Sequence, residues 1–372
     1  MFAQRDLTGF YRTAFQRIGG LFRSVGAWAV GADPTGSSAL SDYRILATFV
    51  GIAGFVALLA VPNLPGWARP FGLLLGGVYY WVFSRRERRR HKVFSQPFPQ
   101  RWRQTLMDRV PLYGQLTAEE KRRFEGEIAV FLDEQRIYSL GGLEGDDAAL
   151  VQLTDEHRVL IASSAAMLLL GRPDWRLPTD RDIVIYPAAF QEETYTMDRH
   201  AHTLGMVHAQ GPILFALDAL ENSFPRQPSW QPLHLPFSET PSPPSSHVGL
   251  HEFAHVLDFL GQQGRSTGVP VILPAQTQAV WHAQLSFERE RLLAGNSVLN
   301  PYGLKNEAEM FAVSVESFFQ DAKRLQQLHP DLYRLLAEFF NQDPAHRDSR
   351  HAVSSVSYRP WFSIGPTTRY MA

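Results

Sequence analysis

At 372 residues the chain is long enough for two or three ordinary domains, and 45% hydrophobic residues provide for a substantial core. A formal net charge of −1 gives no global basis for nucleic-acid binding, and none is expected. The sequence contains no cysteine, which excludes disulfides and thiolate ligands and leaves His, Asp and Glu to hold any metal.

Residues 1–40 read as a basic amphipathic arm. Leu7, Phe10, Tyr11, Ala14, Phe15, Ile18, Leu21, Phe22 and Val25 recur at spacings of three and four, with Arg5, Arg12, Arg17 and Arg23 between them. That pattern suits a helix lying on an anionic membrane surface. Residues 45–61 form an uncharged apolar run, close to the ~20 residues of a spanning helix. A second run, 71–83, is shorter, but Trp67 and Tyr79-Tyr80-Trp81 extend it if they sit at the interfaces. Pro62-Asn63-Leu64-Pro65-Gly66 between the runs reads as a turn. Residues 41–92 are therefore expected to form a transmembrane helical hairpin, with spans near 44–62 and 67–83. Arg85, Arg86, Arg88, Arg89, Arg90 and Lys92 follow the second run directly. By the positive-inside rule they predict a multi-pass protein of the cytoplasmic membrane, with everything after them on the cytoplasmic side.

Residues 93–345 are expected to be the catalytic domain and 346–372 a tail. Thr117-Ala118-Glu119-Glu120 is a capping box, and Phe124, Ile128, Phe131 and Leu132 continue its helix. Thr154 opens another helix, whose apolar stretch 160–170 is too short to span and reads as core. Ile183-Val184-Ile185-Tyr186, Met206-Val207-His208 and Ile213-Leu214-Phe215 read as strands. Helices, then a small sheet, then helices again predict a mostly helical α+β domain with a small mixed sheet. The seven prolines between Pro225 and Pro244 predict an irregular loop over 225–247, a candidate lid for whatever cleft the next helix borders.

That next helix carries the chemistry. Within 248–258 stands His251-Glu252-Phe253-Ala254-His255, with Ser246 placed to cap the helix and Gly261 to end it. Residues four apart share a helix face, so His251 and His255 can offer two imidazole nitrogens to one ion. Glu252 is one position off that face, where it can take a proton from water instead of ligating. His247, also four residues from His251, makes a rival pair, and His200, His202 and His208 cluster upstream without a ligand pattern. Asp258 lies one turn beyond His255, where it can accept an imidazole N–H and fix the tautomer. A two-histidine site needs a further protein donor. Residues 305–320 read as a helix with the apolar stripe Ala308, Phe311, Ala312, Val315, Phe318 and Phe319. At about 100° per residue, Glu309 and Glu316 flank one side of it and Glu307 the other. Periodicity thus narrows the third donor to Glu309 or Glu316, with Glu307 behind them.

Three groups of residues carry a resemblance. One is His251-Glu252-Phe253-Ala254-His255 with Leu257-Asp258; another is Ser266 with Gly268-Val269-Pro270. The third is Tyr302 followed by Glu307-Ala308-Glu309, Phe311-Ala312-Val313 and Phe318-Phe319. On these, the chain from about Phe98 to Pro344 resembles the Mlc titration factor family of zinc-dependent, gluzincin-type peptidases. The resemblance implies a zincin-like metallopeptidase fold, with His251, His255 and Glu309 as Zn2+ ligands and Glu252 as general base. It also implies that Tyr302, seven residues before the glutamate ligand, donates a hydrogen bond to an oxyanion. Family members are associated with binding the glucose-responsive repressor Mlc, so a transcriptional repressor is an implied partner beside a peptide or protein substrate. Residues 1–97 lie outside the resemblance. The combined expectation is a membrane-anchored zinc peptidase, aligning its peptide beside an edge strand at 206–208 or 213–215. The alternative is a regulatory protein that sequesters a transcription factor at the membrane with little or no proteolysis.

Overall fold

The computed structural model describes residues 45–54, 58, 65, 71–139 and, with short gaps, 152–226, 246–259, 268, 273 and 275–347. The expected arm 1–40, the middle of the proline-rich loop, Gly261, His200 and the tail beyond 347 lie outside the described residues. The chain divides into two compact units, Met1–Gln96 and Pro97–Ala372.

In the first unit residues 45–54 are helical, followed by helices Phe71–Phe83 and Arg85–Phe94. Small residues bring the first two pieces together: a Cβ on Gly76 would lie 2.2 Å from the Ala47 carbonyl oxygen. The expected transmembrane hairpin is corrected here. Among the described residues no helix is long and apolar enough to cross a membrane. The helix Phe71–Phe83 has 13 residues, about 20 Å at a helical rise of ~1.5 Å, against a hydrocarbon layer of ~30 Å. A single residue, Ser84, separates it from the arginine-rich helix. Apolar content had stood in for helix length, and the two differ. The multi-pass placement in the cytoplasmic membrane, with a cytoplasmic catalytic side, is overturned with it.

The second unit begins with α1 (Gln100–Arg109), α2 (Pro111–Gln115) and α3 (Ala118–Glu134). The Thr117 box is closed in both directions: Glu120 N–H donates to Thr117 Oγ1 at 3.2 Å and Thr117 N–H to Glu120 Oε2 at 2.9 Å. After β1 (Ile137–Ser139) comes α4 (Asp155–Leu169), capped by Thr154 and buried without interruption over 159–169. A helix apolar all round belongs at the centre of a fold, and α4 packs there between α3, α1 and the motif helix.

Strands β2 (Ile183–Tyr186), β3 (Gly205–Val207) and β4 (Ile213–Ala216) join β1 in one sheet of order β1-β2-β4-β3. β1 and β4 both run parallel to β2, and β3 runs antiparallel to β4, with Met206 opposite Leu214. The sheet is small and mixed, as expected. It also separates the two candidate edge strands: β4 is paired on both sides, whereas β3, like β1, lies at an edge of the sheet among the described residues.

Helices α5 (Leu217–Ser223), α6 (Val248–Phe259), α7 (Ala275–Leu293), α8 (Glu307–Gln320), α9 (Ala322–Leu328) and α10 (Pro330–Phe340) complete the unit. α6 lies against α4 so closely that a Cβ on Gly249 would fall 2.1 Å from Ser164 Oγ. Its other neighbours include α8, β3 and α5. Phe253 holds it from below, edge-on to Phe131 with ring centroids 5.6 Å apart.

Candidate metal centre

α6 starts with a histidine cap. His247 Nδ1 accepts the Leu250 amide at 3.2 Å, and Val248 N–H donates to Ser223 Oγ at 3.0 Å. The exposed Ser246 stands one residue too early for that task. Burial holds the His247 imidazolium down to a pKa of about 3, so the ring is neutral and spent on the cap. Among the described residues His247 joins no cluster able to hold a metal ion.

One turn on, His251 and His255 share a face. Their Nε2 atoms are 3.1 Å apart, and Glu309 Oε2 lies 2.9 Å from the first and 3.2 Å from the second. Among the described residues these three form the one cluster able to hold a metal ion. Donors placed ~2.0–2.2 Å from a tetrahedral ion stand about 3.3 Å apart, so the observed triangle needs only slight widening to admit one.

The hydrogen bonds behind the triangle show that the site attracts positive charge. Glu316 Oε1 faces His251 Nδ1 at 2.7 Å, and an ionised carboxylate can only accept, so Nδ1 carries the proton. In a neutral ring the Nε2 lone pair then points at Glu309, oxygen against nitrogen, with His255 beside it. Positive charge between the donors relieves that convergence, and either a proton or a metal ion can supply it. Without a metal it is a proton: burial lowers the pKa of His251, but hydrogen bonds to Glu309 and Glu316 outweigh it and drive it well above the ordinary value. Burial likewise raises Glu309, and the bonds from both histidines pull it far below the usual carboxylate range. Glu252 is buried beside them and stands off the triangle. Its carboxyl is pushed up to about 7, by burial first, against the pull of the two histidines.

Glu309 and Glu316, which periodicity could not separate, therefore occupy different places on one ring. Glu316 also accepts the His247 backbone N–H with Oε2, at 2.6 Å. Glu307 is exposed and pairs with His282 at 3.2 Å. Asp258, expected behind His255, has a contact the sequence did not suggest: fully buried, its Oδ2 accepts the Gly268 amide at 3.1 Å. Gly268 adopts φ +72°, and a Cβ there would fall 2.3 Å from the Glu307 carbonyl oxygen. Gly268, held by Asp258, is thus pressed onto the first residue of the helix carrying Glu309. His208, away from the triangle, meets Tyr195 Oη at 3.2 Å. Replacing Glu316 with glutamine is expected to weaken ion binding by about 10- to 100-fold, measured by competition against a metallochromic chelator.

Tyr302 sits in a 3₁₀ turn (Pro301–Leu304) capped by the Asn300 side chain, and Asn306 then caps α8 through the Glu309 amide at 2.9 Å. This turn-then-helix accounts for the seven-residue spacing from Tyr302 to Glu309. The Tyr302 ring lies 5.8 Å from that of His251. Both border a cleft of about 220 Å³, walled on its far side by Gly205, Met206 and Val207 of β3. Lys305 also lines the cleft, and sequence reasoning passed over it. Its position three after Tyr302 and four before Glu309 was the available signal.

Comparison with known proteins agrees with this geometry. Over 294 residues the chain is 28% identical to an uncharacterized protein of Synechocystis sp., covering 73% of this chain and 95% of that one. It is 29% identical over 266 residues to Mlc titration factor A of Pectobacterium atrosepticum, covering 67% and 89%. The Salmonella paratyphi B protein of the same name is 27% identical over 256 residues, covering 64% and 85%. The family profile described as glucose-regulated metallo-peptidase M90 matches residues 84–341, from the arginine-rich helix to the end of α10 and with the whole donor triangle inside it. The chain therefore belongs to the glucose-regulated metallo-peptidase M90 family.

Proposed function

We propose that this chain is a zinc-dependent peptidase whose catalytic domain comprises residues 93–345. The observation that carries the proposal is the convergence of His251 Nε2, His255 Nε2 and a Glu309 oxygen beside a buried glutamate and a free strand edge. Two imidazoles and a carboxylate suit zinc, with a further position open to water or substrate. When bound, the ion supplies Lewis acidity, polarising a carbonyl and acidifying water.

The remaining work falls to the chain. β3 offers its unpaired edge to an extended peptide, which adds as a further strand across the cleft. Glu252 accepts the proton of the attacking water and returns it to the departing amine nitrogen. Tyr302 donates its phenolic hydrogen to the carbonyl oxygen as negative charge develops there. His251 is held to one tautomer by Glu316 throughout.

The names of the relatives favour a second reading, in which the chain captures a transcriptional repressor and the ion serves structure. Metal analysis with peptide cleavage separates the two. The purified protein is expected to carry about one zinc per chain, to lose cleavage on chelation and to regain it when zinc is restored. Substoichiometric zinc with no metal-dependent cleavage of any peptide would overturn the peptidase reading in favour of capture.

A further inference from the structure

Among the described residues lining the cleft, one cation is used by neither the donor triangle nor the proton transfers. Lys305 leaves the 3₁₀ turn just before the Asn306 cap, and its ammonium reaches in two directions. Lys305 Nζ donates to Tyr302 Oη at 3.2 Å and stands 3.8 Å from Glu309 Oε1. That oxygen is the partner of the one facing the two histidines. The ammonium also lies 5.3 Å from the centre of the Tyr302 ring.

We propose that Lys305 is a positioning residue that holds the Tyr302 phenol in its donating orientation and ties it to the glutamate of the triangle; this rests on the peptidase reading above. An ammonium has only hydrogens to give, so Tyr302 Oη is the acceptor in this contact. With that side of the oxygen occupied, the phenolic hydrogen turns away from Lys305. Tyr302 is 49% exposed, so packing alone restrains it weakly. The charge-assisted bond supplies what packing does not. Because the same ammonium lies at ion-pair distance from Glu309, 3.8 Å, it links the phenol to the triangle.

The test uses the metal-loaded full chain with Lys305→Met and Lys305→Arg, each made alone and in a Tyr302→Phe background. Three quantities are measured: bound metal, kcat and KM on a peptide, and calorimetric affinity for a phosphinic peptide that mimics the tetrahedral oxyanion. Lys305→Met is expected to lower kcat by about 10- to 100-fold, with KM and metal content held. Phosphinic-peptide affinity should fall in parallel, and Lys305→Arg should recover most of both. In the Tyr302→Phe background, Lys305→Met should change little, because its effect passes through the phenol. The proposal is overturned if Lys305→Met leaves kcat and affinity at wild-type values, or lowers them equally in both backgrounds. It is also overturned if activity falls only in proportion to metal lost. A wild-type protein that neither cleaves peptides nor binds the phosphinic peptide would sink the underlying peptidase reading, and this proposal with it.

Discussion

Replacing Glu252 with glutamine is expected to leave the ion in place and to slow peptide cleavage by about 10²–10⁴-fold, the usual worth of a general base. The side chain is 4% exposed and lies apart from the three converging donors, so an isosteric amide keeps both the packing and the triangle. What it loses is the capacity to accept a proton from water and hand it on. Metal analysis and initial rates on the same preparation check this. A glutamine variant that cleaves as fast as wild type would remove Glu252 from the mechanism.

The second large effect comes from a residue with no side chain to contribute to the chemistry. Gly205→Ala would place a Cβ 2.4 Å from Glu252 Oε1 and 2.8 Å from its Cδ, well inside contact distance. Among the described residues the glycines with positive φ are Gly268 and Gly295. The backbone at 205 therefore accepts alanine without strain, and β3 can keep its pairing with β4. The soft partner is the end of the Glu252 side chain, which must move aside. A displacement of ~1 Å in a reacting group costs about 10²-fold. Cleavage is expected to fall by that order with metal content intact, and because the crowded side chain is buried, stability is expected to drop by about 1–3 kcal/mol. If cleavage is retained, Glu252 does not work from the position it occupies beside β3.

Much of the fold was legible because its signals are local. Thr117 and Thr154 announce their helices by capping, and the apolar density of 160–170 marks a core helix wherever it packs. β1 escaped notice because three residues carry no period, and its existence depends on pairing with Ile183 far along the chain. The hairpin failed for a different reason, since hydropathy reports what a segment contains and not where its helix stops.

At the site, periodicity brought Glu309 and Glu316 to the right face and could go no further. Seven residues is two turns, so both look toward α6, and only the structure shows that they meet opposite nitrogens of His251. Histidine is not among the favoured N-cap residues, which hid the role of His247. Asp258 was found as a residue of interest, and it makes a contact with the Gly268 amide that the sequence did not suggest.

The double acceptance by Glu316 bears on how costly it is to fill the site. One carboxylate fixes the first turn of α6 through the His247 amide and the His251 ring through Nδ1, at 2.6 and 2.7 Å. Glu316 is itself 2% exposed on a packed helix. The rotamer of His251 is thus frozen when the helices assemble, before any ion arrives. The entropy of ordering that ligand belongs to folding and is not charged against ion capture. Ion and scaffold then meet as nearly rigid bodies, so occupancy changes the shape of the surrounding helices very little.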